Sequence, residues 1–329
     1  MTAMRELRFI DLFCGIGGFR VALEQLGAAD DFRTCCVFSS DIDTHAQDSY
    51  EANFGERPAG DITRIEAADI PDHDILFAGF PCQAFSIIGK RGGFDDTRGT
   101  LFFDVARILR EKRPQAFVLE NVKQLVGHDK GRTLGTILAT LNELGYHVHY
   151  KVLNALDYGL PQKRERVVIV GTKEFSMFQF PAPLAEFKPL GEVLQPDSEI
   201  PANYFASDYI REKRHAVHVS QHHPGIWHEN KSGNISSHPF SCALRAGASY
   251  NYLLVDGNRR LTPREMLRLQ GFPDSYEIAV SDGQLRKQAG NSIPVNMIQA
   301  VLQQLLPHLS LSETSVRTPT SEHLDPIAA

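Results

Sequence analysis

Cys82 stands in Gly79-Phe80-Pro81-Cys82-Gln83, between a short apolar run and a loop rich in glycine and polar residues, Ser86 to Gly99. A cysteine so placed can present its sulfur instead of packing it, and a reactive thiol needs that access together with partial ionisation. Pro81 fixes the backbone beside it. Glu120 and Asn121 end another apolar run, where burial raises a carboxyl toward the range useful for donating a proton or a hydrogen bond. Two more strings follow, Gln162-Lys163-Arg164-Glu165-Arg166 and Gly290-Asn291-Ser292. A thiolate with a protonated carboxyl nearby suits addition to an electron-poor ring better than peptide hydrolysis, and no histidine stands in a context matching papain-type catalysis. Cys14, Cys35, Cys36 and Cys242 lie in apolar or tightly turned stretches and are expected to be structural.

Asp11-Leu12-Phe13-Cys14-Gly15-Ile16-Gly17-Gly18-Phe19 reads as strand, glycine turn and helix start, a form that lets backbone approach a ligand at a positive helix end. It fails the dinucleotide fingerprint, since a G-x-G-x-x-G run from Gly15 needs glycine where Arg20 stands. A pyrophosphate cofactor, and with it a nicotinamide oxidoreductase, is disfavoured. An adenosine cofactor without phosphates still needs an acid for its ribose hydroxyls, and Asp41 at the end of the second apolar run is placed for it. Asp61 could accept from the adenine amino group. Both aspartates also suit ordinary strand-end turns.

Elements must bring these strings together. Runs at Phe9 to Phe13, Thr34 to Ser39, Asp74 to Ala78, Ala116 to Glu120, His147 to Leu153 and Val167 to Val170 alternate with helical patterns at Gly18 to Leu26, Thr44 to Asn53, Thr100 to Arg110 and Thr133 to Leu144. Strands this apolar predict an α/β fold with a doubly wound, mostly parallel sheet whose carboxyl ends hold the ligand. The 329 residues suffice for a second, smaller lobe. Residues 1–180 plus 288–310 are expected to form the catalytic and cofactor lobe, 185–260 an irregular recognition lobe, 261–287 a return segment and 311–329 a disordered tail. Thr262-Pro263-Arg264-Glu265 reads as a capping box.

No run approaches the roughly 18 apolar residues of a membrane span, and no apolar leader follows the N-terminus, so a cytoplasmic protein is expected. The net charge of −6 argues against indiscriminate coating of nucleic acid and leaves room for a local basic cleft. Six histidines between His215 and His238 lack a coherent ligand spacing, so no metal is expected.

The order and company of these strings resemble the bacterial C5-cytosine DNA methyltransferases, with family signals across nearly the whole chain. The resemblance implies that Cys82 adds to C6 of a cytosine flipped out of double-stranded DNA, making C5 nucleophilic toward the methyl group of S-adenosylmethionine. Glu120 would engage N3 and the exocyclic amine, Arg166 would hold O2, and Asn121 would position the thiol loop. It also implies a cofactor pocket of Phe19, Gly15, Gly17, Asp41, Ile42, Asp61, Ile62, Pro81 and Leu101, closed by Asn291 and Ser292. Ile42 departs from a tryptophan that one member of the family packs on adenine, and Ala243-Leu244 from a frequent Thr-Leu pair.

Flipping a base costs a few kcal/mol, so both flanking backbones must be gripped. Gln83, Ser86, Ile87, Lys90 and Arg98 in the thiol loop, with Lys163, Arg164 and Arg245, are the expected DNA contacts, and the loop is expected to close over bound DNA. Trp227, Asn230, Lys231, Asn234, Ser236, Ser249, Tyr250 and Asn251 offer groups suited to base edges. Arg259, Arg260, Arg264 and Arg268 suit either DNA backbone contacts or a solvated helix face. A monomer acting beside a cognate restriction endonuclease is expected from family habit. The alternatives are a tRNA cytosine methyltransferase of related architecture and a non-catalytic DNA-binding relative.

Overall fold

The computed structural model describes residues 4–30, 32–81, 101–230, 232–248, 252–310 and 312–314. The first lobe runs β1 (Met4–Leu12), α1 (Gly18–Asp30), β2 (Arg33–Ser40), α2 (Thr44–Phe54), β3 (Ile75–Ala78), α3 (Leu101–Lys112), β4 (Ala116–Val122), α4 (Arg132–Glu143), β5 (His147–Asn154), β6 (Gln162–Lys163) and β7 (Glu165–Thr172). The second carries α5 (Asp208–Val217), β8 (Ile226–Glu229), β9 (Ile235–His238), β10 (Ser241–Cys242), β11 (Leu253–Val255) and β12 (Arg259–Arg260). The chain returns through α6 (Pro263–Gln270), α7 (Asp282–Asn291) and α8 (Val295–Leu305) to β13 (Ser312–Thr314).

Among the described residues the main sheet has the order β13-β1-β3-β4-β7-β5, with β2 beside β1. Strands β2, β1, β3 and β4 pair in parallel, while β7 is antiparallel to both β4 and β5, so in this sheet only β7 and the short β13 run against the rest. Alternate residues of β3 feed opposite cores. Ile75 and Phe77 pack with α1 and α8, whereas Leu76 and Ala78 pack with α3 and α4. With both faces covered by helices, these strands are apolar throughout rather than alternating. Three residues of the expected tail, Ser312–Thr314, instead pair with Met4, Arg5 and Glu6 of β1.

The second lobe centres on the antiparallel sheet β12-β11-β8-β9 and a small apolar cluster around Ile226, Leu253 and Leu261. The predicted capping box is formed: the Thr262 hydroxyl accepts from the Glu265 amide, and the Glu265 carboxylate accepts from the Thr262 amide. Glu265, fully buried, also takes two hydrogen bonds from Arg259 at 2.9 and 3.0 Å. Arg259 reaches Asp197 as well, Arg264 donates to the carbonyls of Pro273 and Tyr276, and Arg268 pairs with Asp274. Arg259 and Arg264 brace the return segment internally, while Arg268 pairs at the partly exposed face of α6. Removing one partner of a buried ion pair strands the other charge, so Glu265→Ala should cost about 3–5 kcal/mol in urea unfolding. A loss below about 1 kcal/mol would mean that Arg259 relaxes to solvent.

Candidate active site

A cavity of about 520 Å³ opens at the carboxyl ends of β1 to β4. After β1 the backbone turns through Phe13 and Gly15, both with positive φ, and Gly15 has open space where a side chain would stand. The turn is held from β2: Asp41 Oδ2 accepts from the Gly15 amide and Oδ1 from the Asp43 amide, each at 2.8 Å. Each oxygen keeps a second acceptor position, and burial raises the Asp41 carboxyl above its ordinary range. Asp61 caps a short 3-10 turn, accepting from the Thr63 hydroxyl and amide, and these bonds hold its carboxyl low.

Phe19 stacks on Phe77 at 5.1 Å and forms the apolar floor, with Ile62 and Leu101 beside it. Ile42 also lines the cavity, and its 73 % exposure is unusual for so large an apolar side chain. From the far end of the chain Asn291 and Ser292 complete the wall. A methyl group on Gly18 would come within 2.6 Å of Ile293 and 3.2 Å of the Ser292 hydroxyl, so these two segments meet only because residue 18 has no side chain.

Pro81, Glu120, Asn121 and Arg166 share the same cavity. The antiparallel register places Val122 opposite Arg166 and Glu120 opposite Val168, making Arg166 the diagonal neighbour of Glu120 on one face. Its guanidinium Nε lies 2.8 Å from Glu120 Oε1. Burial pushes the Glu120 carboxyl up, and Arg166 pulls against it. Asn121 donates at 2.7 Å to the carbonyl of Phe80, pinning the turn that leads into Pro81.

Cys82, Gln83, Ser86, Ile87, Lys90 and Arg98 lie outside the described residues. Gly17 does not line the cavity; its α-carbon faces Phe54, whose ring an added methyl would meet at 2.4 Å. Arg164, expected to contact DNA, is 1 % exposed and donates to the carbonyls of Leu244, Gly290 and Ser292. Trp227 is buried between His215 and His218, which removes it from the base-reading set. Asn230 is exposed, and its Oδ1 accepts from the amides of Ser232 and Asn234 in its own turn. Lys163 and Arg245 are exposed, Arg245 lying over the Tyr252 ring at 4.8 Å. Sequence reasoning missed Lys287 and Gln288, which line the cavity about one turn before Asn291; their helical spacing from that string was the available signal.

The family model for C-5 cytosine-specific DNA methylase matches residues 7–307. The chain belongs to that family. Type II methyltransferase M.NgoBI of Neisseria gonorrhoeae is 58% identical over 88% of this methylase and 90% of its own length. M.HaeII of Haemophilus aegyptius is 52% identical over 95% and 97%, and M.HhaI of Haemophilus parahaemolyticus 45% over 90% and 93%. Among solved structures, the fold matches S. pombe Dnmt2 methyltransferase with a TM-score of 0.69 at 20% identity, covering 92% of this methylase and 99% of that chain. The enzyme therefore methylates C5 of cytosine in DNA. Among its described residues no helix is long and apolar enough to cross a membrane.

Removing the Asn121 amide leaves the buried Phe80 carbonyl unpaired, at a cost of about 1–3 kcal/mol. Asn121→Ala should therefore unfold at lower urea and methylate more slowly per folded molecule. An unchanged rate in the folded fraction would make this contact purely structural.

Proposed function

We propose that the methylase uses S-adenosylmethionine held in the 520 Å³ cavity and attacks a cytosine flipped from a short, specific duplex site through Cys82. The carrying observation is that residues as distant as Phe19, Asp41, Pro81, Glu120, Arg166 and Ser292 share one cavity. Its volume falls within the range of about 300–1,000 Å³ usual for cofactor sites.

The lining fits an adenosine-based group without phosphates. Its two described cations are committed, Lys287 to Asp43 at 2.7 Å and Arg166 to Glu120. The acids Asp41 and Asp61 remain as acceptors, the first for ribose hydroxyls and the second for the adenine amine, between the apolar Ile42 and Ile62. Phe19, Leu101 and Pro81 would bound the remainder, with Asn291 and Ser292 at its edge. S-adenosylmethionine supplies an electrophilic methyl group when bound.

Cys82 follows Pro81 directly, which supports its role as the thiolate that bonds to C6. Glu120, its carboxyl raised by burial, donates to N3 when protonated, so that electron density moves to C5 instead of remaining on the ring nitrogen. Arg166 holds O2 and keeps Glu120 oriented. After transfer the C5 proton leaves to water or hydroxide, and the C6–sulfur bond breaks to restore the aromatic ring. The exposed Lys163 and Arg245 supply DNA contacts, together with Gln83, Ser86, Ile87, Lys90 and Arg98. The relatives' designation as Type II methyltransferases supports a paired restriction endonuclease.

The deciding experiment expresses the wild-type chain and Cys82→Ser in a methylation-free bacterial host and reads 5-methylcytosine by genome-wide bisulfite sequencing. New methylation at one motif, absent with the serine, is expected; equal methylation by both would overturn the nucleophile. Asp61→Ala should weaken S-adenosylhomocysteine binding at least about tenfold by calorimetry, the loss of roughly one good hydrogen bond to a charged acceptor. Unchanged affinity would remove Asp61 from the cofactor. Since Glu120 donates only when protonated, its contribution should fade as pH rises through its elevated pKa. Glu120→Gln should lower kcat far more than DNA affinity and abolish that alkaline decline; equal losses in rate and affinity would make Glu120 structural.

A further inference from the structure

The recognition lobe is locked to the cofactor cavity through groups that no step above uses. Arg164 sits where β6 passes into β7, and its guanidinium bonds three carbonyls on two segments: Nη1 donates to Leu244 O at 2.8 Å, Nη2 to Gly290 O at 2.9 Å and to Ser292 O at 2.6 Å. Among the described residues no carboxylate pairs with it directly, and burial pushes its pKa down to about 9. A cation held by carbonyls alone costs desolvation that a structural strut could avoid with apolar side chains.

Neighbouring contacts repeat the same connection. Gln162, fully buried, accepts from the Leu244 amide at 3.0 Å and donates to Leu269 O at 2.8 Å, and β6 pairs with β10 at Ser241 and Cys242. Independently, a methyl group on Gly290 would meet Ala246 N at 2.2 Å and Arg245 C at 2.6 Å. Backbone thus touches backbone between the loop that carries Arg245 and the segment whose next two residues line the cavity. Tyr252 closes that loop, its hydroxyl accepting from the Arg245 amide and donating to Ala243 O. This contact blocks the loop from shifting toward Gly290, and Gly290 is continuous with Asn291 and Ser292.

We propose that Arg164 is a positioning residue that holds the Arg245 loop and the Asn291–Ser292 wall in one fixed relation, so that target preference and cofactor affinity are set together. This rests on the reading of the cavity as the S-adenosylmethionine site and of the loop as DNA-facing. Two ligands that bias one element must affect each other reciprocally.

The test uses the full chain, the duplex motif found by bisulfite sequencing and the same duplex with one flanking pair changed. Wild type must first methylate that motif and bind S-adenosylhomocysteine; failure there falls on the proposed function alone. In Arg164→Met and Gly290→Ala, corrected for folded fraction by calorimetric stoichiometry, the kcat/KM preference for the motif should fall about tenfold and the S-adenosylhomocysteine Kd should rise in parallel. Arg164→Lys, which keeps a cation and fewer donors, should recover part of both. Should Arg164→Met fail to fold, Gly290→Ala and Arg164→Lys decide. Folded variants that hold both quantities within about twofold of wild type, or lose one without the other, would overturn the proposal.

Discussion

A carboxyl buried at the carboxyl end of β4 has to be oriented and partly compensated, and much of the fold follows from how Arg166 does this. In a sheet running one way throughout, the strand beside β4 would bring its own carboxyl end to the cleft, so an arginine at that strand's start would lie at the opposite edge. Because β7 runs against its neighbours, its first residues reach the cavity and Arg166 meets Glu120 at 2.8 Å. The reversal also lets β6 and Arg164 precede β7 at the same edge, where the second lobe attaches. One antiparallel strand therefore serves both the buried acid and the junction between lobes.

Most of the first lobe was legible in the chain. Strands apolar on both faces and helices with a single apolar stripe differ strongly in pattern, and the site strings fall where strands end. The direction of β7 was not legible, since an apolar run such as Val167 to Val170 reads alike either way. Arg164 was misread for a related reason. It stands two residues before Arg166, and regular strand alternation would give the pair one common face, but Arg164 lies in the break between β6, which ends at Lys163, and β7, which starts at Glu165. A break in register has no signature in residue type, so one arginine faces the cavity and the other the lobe junction.

The second lobe resisted reading because its strands are two to four residues long and its core is small. Its order comes from polar anchors: Arg259 with Glu265, Arg214 with Glu229 and Tyr252 across its own loop. Such contacts depend on tertiary placement, and sequence spacing reveals only the local one, the capping box at Thr262. The buried Trp227 shows the opposite error, an aromatic residue that looked suited to nucleic acid and is core.

The close approach of Gly290 to residues 245 and 246 limits how such an enzyme can be rebuilt. A lobe transplanted from a relative would have to bring residues 241–246 in the same backbone path, or carry its own partner segment around residue 290. Variation is freer away from this contact, at the exposed Ser232, Gly233 and Asn234 between β8 and β9. Chimera boundaries drawn outside this joint would exchange the rest of the lobe and leave the joint whole.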